Sequence, residues 1–174
     1  SEMRASLIHG ISSQINPPDI LIVDTGAGID ETVQTFVSAC QQAIVVVCDE
    51  PASLTDAYAL IKVLRLKKNY KEFQVVVNNA ESAIQAKQLF ERLSSVTEKH
   101  LDTRLSYLGE VPQDRYLRRA VQEQRPLVTA YPRSPAAFAI TEMAGRVLEG
   151  GTEHGASGLT FFFEQLLDIQ ADRV

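Results

Sequence analysis

Four short apolar runs punctuate the chain: Ile20-Leu21-Ile22-Val23, Ala43 to Val47, Phe73 to Val77 and Leu105 to Val111. Each is rich in β-branched residues and of strand length. The second has almost no polar alternation, the pattern of a strand covered on both faces. Between the runs, apolar residues recur at three-and-four spacing. Val33, Phe36, Val37 and Cys40 do so within 31–41, Ala57, Leu60, Ile61 and Leu64 within 53–66, and Ile84, Leu89, Phe90 and Leu93 within 82–96. That spacing predicts helices with one buried stripe. Strand alternating with helix predicts βαβ units, hence an α/β fold with a mostly parallel sheet and flanking helices.

After Val111 the pattern turns helical. Asp114 is placed to cap a helix through about Gln124, which Pro126 ends, and a second helix is expected from about Pro135 to Leu148. Gly150, Gly151, Gly155 and Gly158 mark a flexible linker over 150–158. Beyond it, Leu159, Phe162, Phe163 and Leu166 form the apolar stripe of a short amphipathic helix within 159–174. The predicted organisation is one α/β unit over 1–149, the linker and the terminal helix.

Composition narrows the class. Hydrophobic residues make up 45% and charged residues 22% of 174, as in ordinary globular domains. A net charge of −5 argues against general nucleic-acid binding, which needs a basic face to replace counterions. Cys40 and Cys48 make neither a disulfide framework nor a zinc pattern and read as small buried hydrophobes. Ser1-Glu2-Met3-Arg4 opens a mixed stretch without a signal peptide's apolar core, and no run approaches the ~20 apolar residues of a membrane span. A cytoplasmic protein is expected.

A doubly wound sheet binds ligands at the carboxyl ends of its strands, which selects the residues to read. Asp24 follows the first run and precedes Thr25-Gly26-Ala27-Gly28-Ile29. A strand-end aspartate before a glycine loop is how a magnesium-holding Walker-B element is built. The same aspartate equally suits a cap for the helix at Glu31. A phospho-acceptor role would require an acidic pair at the end of an earlier strand, and none precedes it. Asn78 ends the third run, where its amide offers a donor and an acceptor to a base edge, or else makes a turn in a left-handed conformation. After Val47, Ser53 and Asp56 have capping-box spacing, which explains them without a catalytic role. Arg115, Arg118 and Arg119 form either a partner surface or a solvated helix face. The histidines have no metal-ligand spacing.

In register, these pieces resemble MinD/ParA-type P-loop ATPases: Asp24-Thr-Gly-Ala-Gly-Ile, then Asp49-Glu50-Pro51 with Ser53-Leu54-Thr55-Asp56-Ala57, then Val76-Val77-Asn78-Asn79, then Leu108-Gly-Glu-Val-Pro-Gln-Asp114 with Leu117-Arg-Arg-Ala-Val and Arg125-Pro-Leu-Val. Thr55 to Lys62 and the Phe-rich tail resemble the flagellar-number regulator (FlhG or FleN) branch. The resemblance implies ATP and magnesium as ligands of the intact protein and an ATP-dependent homodimer. It implies Asp24 as the magnesium carboxylate, directly or through water, and Gly28 in the mobile loop beside it. Asn78 would read adenine, with Pro112 and Asp114 bordering the base. The implied partners are a signal-recognition-type flagellar GTPase, a flagellar transcription activator and flagellar switch-complex proteins, with no direct nucleic acid. The terminal helix, through Leu159, Phe162, Phe163 and Leu166, would touch the inner membrane face or a groove of its own domain.

The departure is a missing phosphate cradle. No Gly-x-x-x-x-Gly-Lys-Ser/Thr and no Lys-Gly-Gly occurs in the sequence. The expectation is therefore a C-terminal piece of a longer protein, without the family's N-terminal strands, including the one that lies beside the Asp24 strand. Alone it should be inactive and bind ATP weakly. The alternative is the same fold kept as a nucleotide-free interaction module.

Overall fold

The computed structural model describes residues 20–150 together with 162, 163, 165 and 166. The elements, in chain order, are α1 (Glu31–Ala39), β1 (Ala43–Val47), α2 (Pro51–Lys68), β2 (Phe73–Ala80), α3 (Ala83–Leu101), β3 (Ser106–Pro112), α4 (Arg115–Gln122), α5 (Leu127–Ala130) and α6 (Pro135–Gly150). The three strands form one parallel sheet in the order β1-β2-β3, with Val45 opposite Val75 and Val77 opposite Glu110. The expected α/β class with flanking helices is the observed one.

Local chemistry sets the boundaries. Asp30 caps α1 by accepting from the N–H groups of Thr32 at 2.8 Å and Val33 at 3.0 Å. Ser82 caps α3 through the N–H of Gln85 at 3.2 Å. Asn69 and Asp102 end α2 and α3 in the left-handed conformation that short polar side chains tolerate, at φ 51 and 48. Ser53 does not cap α2, contrary to expectation. The helix starts earlier, with Pro51 in its first turn, because proline brings a helical φ and no N–H to satisfy. The Ser53 hydroxyl instead accepts from the N–H of Cys48 at 3.0 Å, tying the end of β1 to α2.

Two cores sandwich the sheet. Beneath α2 and α3 lie Val45, Val47, Ile61, Leu64, Val75, Val77, Leu89 and Leu93. Full burial of side chains such as Ile61 and Leu64 stabilises the fold by about 1.5–3 kcal/mol each. On the other face, α4, α5 and α6 cover β2 and β3 through Val76, Leu108, Val111, Ala120, Leu127 and Met143. Gly109 permits this close approach: a Cβ there would stand 2.8 Å from the Met143 side chain. Beside it, Arg146 Nη1 donates to the Leu108 carbonyl at 2.6 Å.

Two expectations fail on the β1 side. The strand expected at Ile20–Val23 makes no ladder among the described residues, and Ile22 is 86% exposed. An apolar β-branched run becomes a strand only against a neighbour that takes its hydrogen bonds, and among the described residues β1 pairs with β2 alone. The second failure is β1 itself, which is not covered on both faces. Val45 and Val47 are buried, but Ile44 and Val46 stay 48% and 58% exposed, because α6 packs on β3 and does not reach them.

Cys40 and Cys48 are half-buried free thiols rather than fully buried. Of the terminal segment, Phe162 is buried and stacks on Phe36 of α1 with ring centroids 6.5 Å apart, while Phe163 meets Phe162 edge-on at 5.3 Å. Leu166 is half-buried, and Leu159 lies outside the described residues, as does the 151–158 part of the glycine linker.

Candidate functional site

A parallel sheet delivers the carboxyl ends of its strands to one edge, so the loops after β1, β2 and β3 converge. A shallow cavity of about 130 Å³ lies there, lined by Cys48, Asp49, Glu50, Asn79, Glu81, Gln85 and Gln113. One side chain stitches its walls. Gln85 Nε2 donates to Asp49 Oδ2 at 2.9 Å, and Gln85 Oε1 accepts from the N–H of Glu81 at 2.9 Å. The N–H of Gln113 donates to the Ala80 carbonyl at 2.9 Å, joining the loop after β3 to the end of β2. Glu81 and Gln85 escaped sequence reasoning because neither ends an apolar run. The available signal was the capping-box spacing Ser82-x-x-Gln85, which turns a first-turn glutamine back toward the strand ends.

Electrostatics limits what this cavity accepts. Asp49, Glu50 and Glu81 rim it, so it disfavours a phosphate and suits an uncharged group that exchanges hydrogen bonds. Burial and the Glu50 carboxylate push the Cys48 thiol up, opposite to the shift that activates a cysteine.

Asn78, Pro112 and Asp114 share this edge. Asn78 pairs with Val111, and Ala80 with Pro112. The left-handed turn that offered an alternative role for Asn78 belongs to its neighbour: Asn79 sits at φ 57 as the extra residue of a bulge, while Asn78 keeps strand backbone and is half-buried. Asp114 is already engaged. It accepts from the N–H of Tyr116 at 2.8 Å and, through its other oxygen, from the N–H of Ala136 at 3.0 Å. Burial opposes its charge, but those two N–H groups, the Ser134 hydroxyl and Arg115 outweigh it and hold the carboxyl below its ordinary range. Asp114 thus clamps the start of α4 to the start of α6 and fixes the loop that carries Pro112 and Gln113.

Asp24 and Gly28 do not line this cavity, and no hydrogen bond joins them to the group among the described residues. Gly28 takes φ 117, open only to glycine at low cost. The capping role weighed for Asp24 falls to Asp30, so Asp24 is an exposed carboxylate without that duty. No cluster of three His, Cys, Asp or Glu side chains able to cage a metal exists among the described residues. One carboxylate is still compatible with magnesium, which commonly takes one or two from protein and the rest from phosphate and water.

No family model matches the chain. Among curated proteins it is 43% identical to the antiactivator FleN of Pseudomonas aeruginosa, over 97% of this chain and 60% of that protein. It is 32% identical to the flagellum site-determining protein YlxH of Helicobacter pylori, over 86% of this chain and 52% of that protein. It is also 27% identical to a chloroplastic septum site-determining protein minD homolog of Arabidopsis thaliana, over 76% of this chain and 39% of that one. The chain therefore spans between half and two thirds of the length of the two flagellar relatives.

Proposed function

Since this chain belongs to the MinD/ParA-type family, on the branch of its flagellar regulators, we propose that it forms the base-reading and switch part of an ATP-dependent regulator of flagellar number and placement. The observation that carries this reading is a division of labour at the strand ends. Asp30 and Asn79 perform the capping and turning that would otherwise account for Asp24 and Asn78. Those two side chains are left for a ligand, at positions where the family pattern holds magnesium and adenine. Asn78 exchanges hydrogen bonds with the base, Pro112 borders it, and Asp114 holds the bordering loop. Magnesium, when bound, would neutralise phosphate charge beside Asp24.

The same reading extends to the whole protein. ATP drives homodimerisation, and the dimer acts on a signal-recognition-type flagellar GTPase, a flagellar transcription activator and switch-complex proteins. The terminal helix, packed through Phe162 on Phe36 of α1, leaves that seat for the membrane in the ATP dimer. The helix it leaves, α1, is the one that follows the Asp24–Gly28 loop.

Calorimetric titration with magnesium and ATP tests the core of the proposal. This chain alone, which has no phosphate cradle, should show no micromolar binding, because loop N–H groups and a lysine supply most phosphate affinity. In the full-length protein Asp24→Ala should abolish hydrolysis, and Asn78→Ala should cut discrimination between ATP and GTP about tenfold or more. Wild-type turnover in the first variant, or intact base preference in the second, sinks the assignment and leaves a nucleotide-free interaction module.

A further inference from the structure

Residues 115–133 hold five arginines, Arg115, Arg118, Arg119, Arg125 and Arg133, against one carboxylate, Glu123, in a chain whose net charge is −5. The folding of this stretch turns its charge outward. Ala120 and Leu127 face the core, with Tyr116 and Leu117 packed against it, and every one of the five arginines is exposed.

The surface they form is built on aromatic rings. The rings of Tyr116 and Tyr131 lie 5.1 Å apart. The Arg115 guanidinium lies over Tyr116 at 4.9 Å, and that of Arg119 over Tyr131 at 5.7 Å. Arg119 and the Tyr131 hydroxyl both donate to Glu123 Oε1, at 2.9 and 2.8 Å, which engages the only acid of the stretch. Among the described residues the side chains of Arg118 and Arg133 make no hydrogen bond or ion pair, and that of Arg125 only faces the Glu123 carboxylate electrostatically. Between them the chain exposes Val121 at 69% and Val128 at 44%.

We propose that this face of α4 and the α5–α6 turn is a docking site for an acidic, amphipathic segment of a partner protein. Carboxylates of the partner meet Arg118, Arg125 and Arg133, and its aliphatic side chains cover Val121 and Val128. Arginine suits this role because its planar fork takes a carboxylate bidentately. The stacked pairs hold two further guanidiniums in place, which lowers the ordering cost on binding. Nucleic acid fits less well. A phosphate-driven site makes about six to ten phosphate contacts, whereas α4 is only 8 residues long and three guanidiniums here lie outside the stacked pairs. The exposed valines have no counterpart on a phosphate backbone. This inference concerns a surface distinct from the strand-end site and does not rest on the nucleotide reading.

The test is selection from a random dodecapeptide phage library on the immobilised full chain, against the same selection on Arg118→Glu/Arg133→Glu. Wild type should enrich peptides that pair Asp or Glu with aliphatic residues, and the charge-reversed variant should lose that bias. A peptide from the wild-type pool, followed by fluorescence anisotropy, should bind at least about tenfold more weakly to the double variant and also to Val121→Asp. Its affinity should fall with added salt. Neither arginine has a partner to lose, so the melting midpoint of the variant should match wild type. Should it drop, Arg118→Ala alone gives the same reading. Three results overturn the proposal: no acidic enrichment, equal binding to the reversed variant, or a labelled 20-base-pair duplex that binds more tightly than the peptide and is lost on the same reversal.

Discussion

The β2–β3 side of the molecule and the β1 side are made of similar sequence and end up in different physical states. On the β2–β3 side both faces of the sheet are covered, and the loops beyond it are tied by Gln85, Gln113 and Asp114. On the β1 side the strand is buried on one face only, and the apolar run at Ile20–Val23 joins no sheet among the described residues. The strand ends around Asn78, Pro112 and Asp114 are thus tied together, whereas no hydrogen bond joins Asp24 to them among the described residues. The difference teaches that a strand's apolar content does not decide its burial; the neighbour that pairs with it and the helix that covers it do.

The comparison can be broken most directly by truncating one side chain on the covered face of the sheet and one on its open face. Ile61 is fully buried, so Ile61→Ala should cost about 2–5 kcal/mol in urea denaturation. Ile44→Ala, on the open face of β1, should stay within about 0.5 kcal/mol. Equal losses would mean that the open face is covered in solution.

A smaller effect sharpens the contrast at the loops. Asp114→Asn should destabilise by about 1–2 kcal/mol, because two helix starts lose their charged acceptor. The pH dependence follows from its lowered pKa. The carboxylate's contribution is complete above its ordinary value of 3.8 and disappears as acid titrates the folded form below that value. The stability gap between wild type and variant should therefore be constant near neutral pH and close below about pH 3.8. A gap unchanged at pH 2 would show that the clamp does not depend on charge.

The smallest effect separates two aspartates on the open side. Asp30→Ala removes the cap of α1 and should cost about 1 kcal/mol. Asp24→Ala should leave stability unchanged within about 0.5 kcal/mol, since the carboxylate is exposed and caps no helix. Equal destabilisation would make Asp24 a structural residue and weaken its reading as a metal ligand.

Much of this was legible from local pattern. Periodicity located α1 to α4 and α6 and all three paired strands, because a buried stripe at helical spacing and a β-branched run are properties of neighbouring residues. The cap at Asp114 was equally local. The identities of Asp24 and Asn78 as candidates followed from topology, since parallel strands must end at one edge.

Other features were left open by the pattern of apolar and polar positions. Only the tertiary structure decided that Asp30 caps in place of Asp24, that Asn79 turns in place of Asn78, and that the Ser53 hydroxyl serves Cys48. Each is a competition between nearby groups for one hydrogen bond or one backbone conformation, and packing chooses the winner. The bridge from Gln85 to Asp49 joins residues 36 apart in sequence, and that from Asp114 to Ala136 joins residues 22 apart. No local pattern encodes such pairings. The sequence by itself determined α1 to α4, α6, the three paired strands and the residues that wait at their ends. The tertiary structure decided which of those residues are used up in holding the fold, because hydrogen-bonding groups and apolar surface are satisfied only by whatever the rest of the chain brings against them.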